Sequence, residues 1–260
     1  MDQLTVSWSS LAIALSLVVF ALVLSKKMDL DMGWDMILAT LRMILQLFVV
    51  GFVLGGIFQL DHLLITLLMV AFIVFNAAWN ASKRAQGLDN ALPAALLSLG
   101  LTTVVNLLVL VLSGSVAFVP SQVIPIAGMI AGNSMRAVGL AFTNLRTYFK
   151  DRTQQVMERL SLGATPAQAS AQVLKDARKA SLQPTIDSVR TVGLVTLPGM
   201  MSGLMFAGVD PTKAIMYQIM VYFFILSGAF LSVIISTRVI SSAFFNDRAQ
   251  LIELQEEGRQ

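Results

Sequence analysis

Apolar residues along this chain fall into long runs separated by short polar joints. A helix that crosses a bilayer needs about 20 mostly apolar residues, because each adds about 1.5 Å towards a hydrocarbon core of about 30 Å. Seven stretches qualify, at roughly 7–25, 36–58, 63–80, 92–112, 123–142, 188–208 and 214–237. The pattern predicts an all-α, polytopic membrane protein of seven transmembrane helices, built as a single domain over 1–260. Lys26 and Lys27 close the first stretch, and no Lys or Arg precedes it. That suits a retained span rather than a cleaved leader.

One long segment breaks the rhythm. Residues 143–187 are polar, charged and Ala-rich, and they lie between spans five and six. They read as two helices. The first covers Tyr148 to Leu160, with apolar residues at Tyr148, Phe149, Val156, Met157 and Leu160. Gly163 suits its stop, since glycine adopts the left-handed conformation cheaply. Thr165 then reads as an N-cap, with Pro166 at the first helical position and Gln168 at the capping-box position. That second helix is expected to reach about Gln183, where Pro184 interrupts it. On spacing alone, the segment is either a functional handle or a connector lying along the membrane surface.

Composition agrees with a membrane protein: 56% of the residues are hydrophobic and 13% charged, against about 25% charged in soluble domains. Mean hydropathy is +0.77. Charge placement predicts the orientation. Of 18 Lys and Arg, an N-out arrangement leaves only Lys213 on the outer segments, puts Arg42 and Arg136 within spans, and places the other fifteen inside. The positive-inside bias therefore predicts N-out and C-in, with 143–187 in the cytoplasm.

At Glu158–Ala169 the sequence resembles the cytoplasmic loop of ABC-transporter permeases, which runs Glu-Ala-Ala, three residues, then Gly. Here Glu158-Arg159-Leu160 precedes Ser161-Leu162-Gly163. Where that loop often continues to Ile-x-Leu-Pro, this chain has Val173-Leu174-Lys175-Asp176. Three further strings are similar to the FetB (YbbM) family of bacterial permeases: Phe75-Asn76-Ala77-Ala78-Trp79-Asn80, Val123 through Pro125 to Asn133, and Gly193 through Pro198 to Gly203. The likeness runs from about Ser10 to Phe245. It implies a seven-span permease of the bacterial inner membrane, paired with a separate cytosolic ATPase, FetA, in a proposed iron exporter. Plant relatives are linked to aluminium tolerance and nucleotide-sugar transport. It also implies a coupling helix, with Glu158, Arg159, Leu160, Gly163, Ala164, Thr165 and Pro166 meeting the ATPase. A permease homodimer is expected, in contact with lipid and not with nucleic acid. ATP and Mg would sit on the ATPase, and this chain would bind no cofactor.

Chemistry within the spans narrows the choices. Charged groups at mid-bilayer cost about 2.5–3.5 kcal/mol on insertion scales. Arg42 with Gln46 on span two, and Arg136 with Asn133 on span five, are either pathway groups or interfacial anchors that snorkel. Asn76, Asn80 and Asn106 line a path or bond between helices. No Asp or Glu falls within a predicted span, which argues against an ion-gradient carrier. A phosphate-binding Gly-Lys-Ser/Thr loop is absent too, so a transporter of this sequence must borrow its ATPase. With no Cys, one His and no clustered carboxylates near the spans, a membrane-embedded enzyme acting on lipid or lipid-linked sugar has no acid, base or metal site to use, and no metal site is expected. Gly51 and Gly55, Gly128 and Gly132, and Gly199 and Gly203 recur at the spacing of close helix contacts. Pro125 and Pro198 are expected to break spans five and six and expose carbonyls to a pathway. Met201 stands in a cluster with Met129, Met135, Met200 and Met205, as soft-ion ligands or as flexible filler.

Overall fold

The computed structural model describes residues 7–85, 87–88, 90–246 and 248–252, apart from Asp61, and without side-chain detail for 58–60. Among the described residues there are nine α-helices and no strand. The chain separates into two compact units, 1–60 and 61–260.

The first unit is a helical hairpin of α1 (Trp8–Lys27) and α2 (Gly33–Leu60). Ser7 caps α1 by accepting from the Ser10 N–H. Lys26 and Lys27 stand in its last turn, where positive charge complements the helix dipole. The connection turns on Asp29 and Asp31, both at positive φ, a conformation Asp tolerates better than most residues. Both helices are apolar and carry exposed side chains around most of their circumference, as suits a lipid-facing element.

The second unit packs α3 (Leu63–Ser82), α4 (Ala91–Leu112), α5 (Pro120–Asp151) and α9 (Pro211–Ile240) into a bundle. Small residues line the contacts. Ala77, Ala78, Ala81, Ala94, Ala95, Ala131 and Ala141 are all buried, so the backbones approach closely. Helix α9 passes tightly against α5 at Gly228, where an added Cβ would lie 3.1 Å from Ile130 Cγ2 and 3.2 Å from Ser134 Oγ. Beside it the Ser227 hydroxyl donates to Asn106 Oδ1 at 2.8 Å, tying α9 to α4.

Helix α5 has 32 residues and so extends about 48 Å, well beyond a hydrocarbon core of about 30 Å. It therefore runs on past the predicted end of span five at 142. Its far end carries Phe142, Leu145 and Phe149, all buried. Phe149 stacks on Phe244 with ring centroids 4.0 Å apart. Against this end pack α6 (Thr153–Ser161) and α7 (Pro166–Thr191), and the short α8 (Gly199–Phe206) lies on α9.

Among the described residues six helices are long and apolar enough to cross a membrane: α1, α2, α3, α4, α5 and α9. The expected span at 188–208 is not a single helix. Helix α7 ends at Thr191, and a turn follows in which Gly193, at φ +82°, bonds through its N–H to Thr196 O. Pro198 then caps α8, which has only eight residues. Glycine and proline here stop one helix and start another, rather than kinking one. The other two prolines do not interrupt their helices. Pro125 lies one turn into α5 and removes only the bond to Ser121 O, while Pro184 sits inside a continuous α7.

Candidate functional site

The α6–α7 hairpin is built as its sequence predicts at the turn. Gly163 takes φ +89°, its N–H bonds to Leu160 O, and the Ala164 N–H bonds to Arg159 O. That pair of bonds is a Schellman closure, which only glycine makes without backbone strain. Thr165 and Gln168 form a reciprocal capping box, and Pro166 occupies the first turn of α7. The hairpin is braced from inside by Val156, Ala169 and Val173, all buried. Arg159 Nη1 donates to Ala169 O at 3.4 Å, and Arg152 pairs with Asp176. The hydrogen bond from Arg152, helped by Gln172, holds the Asp176 carboxyl below its ordinary value of 3.8.

At the apex stands Leu162, 88% exposed. Glu158, Arg159 and Thr165 are exposed around it, while Leu160, Ala164 and Pro166 are half-buried. Leu162 is the residue that sequence reasoning passed over. As the last residue before a left-handed glycine it could not join the buried stripe of α6, and that was the available signal.

Near the hairpin's base, Arg178 of α7 and Arg238 of α9 border a cavity of about 400 Å³. Arg178 Nε donates to Thr237 Oγ1 at 2.7 Å. Burial, with a smaller push from Arg238, lowers the Arg178 guanidinium from its usual value.

A second cavity, of about 350 Å³, lies between α5, α7, α9 and the 3₁₀ turn Lys83–Ala85. Arg84, Asn133, Arg136, Thr185, Ser188 and Tyr222 supply its polar wall. Asn133 and Arg136, placed side by side by their spacing on α5, are in contact: Arg136 Nη2 donates to Asn133 Oδ1 at 2.8 Å. Asn133 in turn donates to Met129 O, which fixes its carbonyl towards the arginine. Arg84 reaches the same wall by lying across Gly139. A Cβ there would fall 2.7 Å from Arg84 Cδ. Neither Arg84 nor Gly139 stood out in the sequence, because Arg84 lies in a short joint and Gly139 has no partner glycine at four-residue spacing.

The remaining candidates lie elsewhere. Arg42 and Gln46 are exposed on α2. Asn76 and Asn80 are exposed on α3 and bond back along their own helix, to Phe72 O and Asn76 O. Pro125 is exposed, Pro198 is half-buried and Met201 is buried, and none of the three borders the arginine cavity. Gly51 and Gly55 lie on α2. A Cβ added at Gly128, Gly132, Gly199 or Gly203 would meet nothing within 4 Å. The tight helix approach inside the second unit falls instead at Gly228, while Gly139 makes room for the Arg84 side chain. Among the described residues no group of three or more His, Cys, Asp or Glu could hold a metal ion.

No solved structure matches the chain. Curated relatives do. It is 51% identical to the "Probable iron export permease protein FetB" of Escherichia coli (strain K12), over 98% of both chains. It is 38% identical to the "Protein ALUMINUM SENSITIVE 3" of Arabidopsis thaliana, over 92% of this chain and 88% of the relative. It is 35% identical to the "UPF0014 membrane protein YjkA" of Bacillus subtilis (strain 168), over 93% and 97%. Six apolar helices and relatives of these kinds make it a multi-pass membrane protein. The model of the uncharacterised protein family UPF0014 matches residues 8–245, and the chain belongs to that family.

Proposed function

We propose that this chain is the permease subunit of an ATP-driven transporter of the bacterial inner membrane. It moves a metal outward, with iron the cargo suggested by the name of its Escherichia coli relative. ATP and Mg are bound by a separate FetA-like ATPase, and two permease chains pair with two ATPases. The observation that carries the reading is the α6–α7 hairpin, which spends a glycine turn and a capping box to hold an exposed leucine at its tip. A surface connector has no need of such an apex. A leucine held out in solvent gains by burying its side chain in a groove on a soluble partner.

Helix α7 links this tip to the arginine cavity. From Pro166 to Thr185 is 19 residues, or about 29 Å of one continuous helix. When ATP closes the ATPase pair, displacement of the tip is carried along α7 into the cavity wall, where Thr185 and Ser188 stand. Alternating access then follows from α7 rocking against α5 and α9. In this reading the broken segment 188–208 completes a seventh crossing as a discontinuous span. Irregular backbone is tolerated at membrane depth where protein or water covers it. An odd number of crossings agrees with the N-out, C-in bias of the lysines and arginines.

The test is to co-express the chain with a FetA-like ATPase, tag only the chain, and purify in detergent. Co-purification is expected, with ATP turnover that falls on Gly163→Val. Transport by the purified chain alone, with no ATPase bound, would overturn the reading.

A further inference from the structure

The arginine cavity bears on what the cargo is. Its polar wall contains two guanidinium groups, from Arg84 and Arg136, and no carboxylate, thiolate or imidazole. Each guanidinium offers five N–H donors and no acceptor. Asn133 uses its carbonyl on one donor of Arg136, which aims that group and leaves its other donors available. Among the described residues, neither arginine has a carboxylate partner. Thr185, Ser188 and the Tyr222 phenol add hydroxyls to the same wall. At about 350 Å³ the space lies at the lower end of the 300–1,000 Å³ typical of sites for small organic molecules.

A bare metal cation entering here would meet two positive charges and none of the oxygen or sulfur anions that bind metals. An anion would meet the reverse. Planar guanidinium forks match the paired oxygens of carboxylates and phosphates, and such charge-assisted bonds are the stronger kind. The fold also invests in the geometry. Gly139 lies three residues from Arg136, on the same face of α5, and its missing side chain is what lets Arg84 lie along that face. Two like charges are thus brought to one wall, which costs energy unless an anion comes between them.

We propose that the Arg84–Arg136 cavity binds the oxyanion groups of its cargo, so that a metal leaves as an anionic carboxylate or phosphate complex rather than as a free ion. The inference rests on the permease reading for the word cargo. The binding itself belongs to this chain alone.

The test uses the full chain, purified without ATPase and placed in nanodiscs of zwitterionic lipid. Binding of citrate, ferric citrate, inorganic phosphate and Fe2+ alone is measured by calorimetry at low and high salt. At least one of the oxyanion probes is expected to bind, more weakly as salt rises. Arg136→Gln and Arg84→Gln should each weaken it at least tenfold. Gly139→Ala should do the same without removing a charge, by displacing Arg84. Lys213→Gln, on a different joint, should leave it unchanged. Both arginines are exposed, so their substitution spares the core and the folded fraction can be confirmed by gel filtration. Absence of oxyanion binding, binding indifferent to all three cavity variants, or binding of Fe2+ alone would overturn the proposal. A parallel arm adds phosphatidylglycerol to the nanodiscs. Arginine-dependent phosphatidylglycerol binding that no soluble probe displaces would make this a lipid headgroup site and also overturn it. A chain that binds oxyanions but recruits no ATPase would retire the permease reading and keep the site. One that recruits ATPase but binds no oxyanion would do the opposite.

Discussion

Replacing Leu162 by alanine separates what the hairpin does from what holds it together. In the chain alone the side chain is 88% exposed, so truncation removes almost no buried contact. Surface changes of that kind usually alter stability by no more than about 0.5 kcal/mol. Docked in an ATPase groove, the same side chain would bury three carbons that alanine lacks. At about 0.8 kcal/mol per carbon, full burial contributes about 2.4 kcal/mol per tip, or roughly fifty-fold in affinity. Half burial would still amount to about 1.2 kcal/mol and roughly seven-fold. The assay is titration of the purified ATPase against the permease in nanodiscs, followed by light scattering, with thermal unfolding of the permease run alongside. The expected result is an unchanged melting temperature and an affinity at least several-fold weaker. An affinity within two-fold of the parent would show that the apex does not enter a groove. A large loss of thermal stability would show that the exposed leucine is covered within the permease itself.

Gly163→Val should destabilise the hairpin by about 1–2 kcal/mol, because a Cβ meets nothing within 4 Å and the cost is that of a left-handed backbone alone. Hydrogen exchange across Thr153–Gln168 should rise while the transmembrane bundle stays protected. Gly228→Ala should cost about 1–3 kcal/mol in thermal stability, since the new methyl would press on Ile130, Ser134 and Asn106. Ser227→Ala should cost about 0.6 kcal/mol, the usual size of a hydrogen bond between membrane helices, read as a small fall in melting temperature. The Asp176 carboxyl titrates below its ordinary 3.8 in the folded chain, so its pairing with Arg152 is fully present above the unfolded value and is lost as pH falls through the lower folded one. Protection at α6, corrected for the pH dependence of intrinsic amide exchange, should therefore fall in acid below that range, and Asp176→Asn should remove the pH step.

Much of the architecture was legible because it rests on local signals. Apolar length alone located α1, α2, α3, α4 and α9, and the Gly163, Thr165, Pro166 and Gln168 signals located the turn of the hairpin to the residue. The segment 188–208 misled because mean apolarity does not register a helix stop. Gly193 and Pro198 are short-range punctuation inside a run that is otherwise apolar enough to span. Pro125 and Pro184 erred the other way. A proline one turn from a helix start costs little, and one inside a well-packed helix is carried by its neighbours. Half of the cavity was visible, as Asn133 and Arg136 share one helix face. The other half depends on Arg84 coming from a different element and on a single glycine clearing its path, and no pattern along the chain encodes that meeting.

Crosslinking from position 162 tests the proposed coupling most directly. The chain has no cysteine, so Leu162→Cys gives it a single thiol at the hairpin's tip. A short bismaleimide is applied to membranes containing this variant and a FetA-like ATPase that carries one cysteine in its permease-facing groove. A permease–ATPase adduct whose yield changes with ATP is the predicted result. Failure to form any adduct, while the thiol reacts with a membrane-impermeant maleimide added from outside the cell, would put the hairpin on the wrong face of the membrane and end its role as the ATPase's docking point.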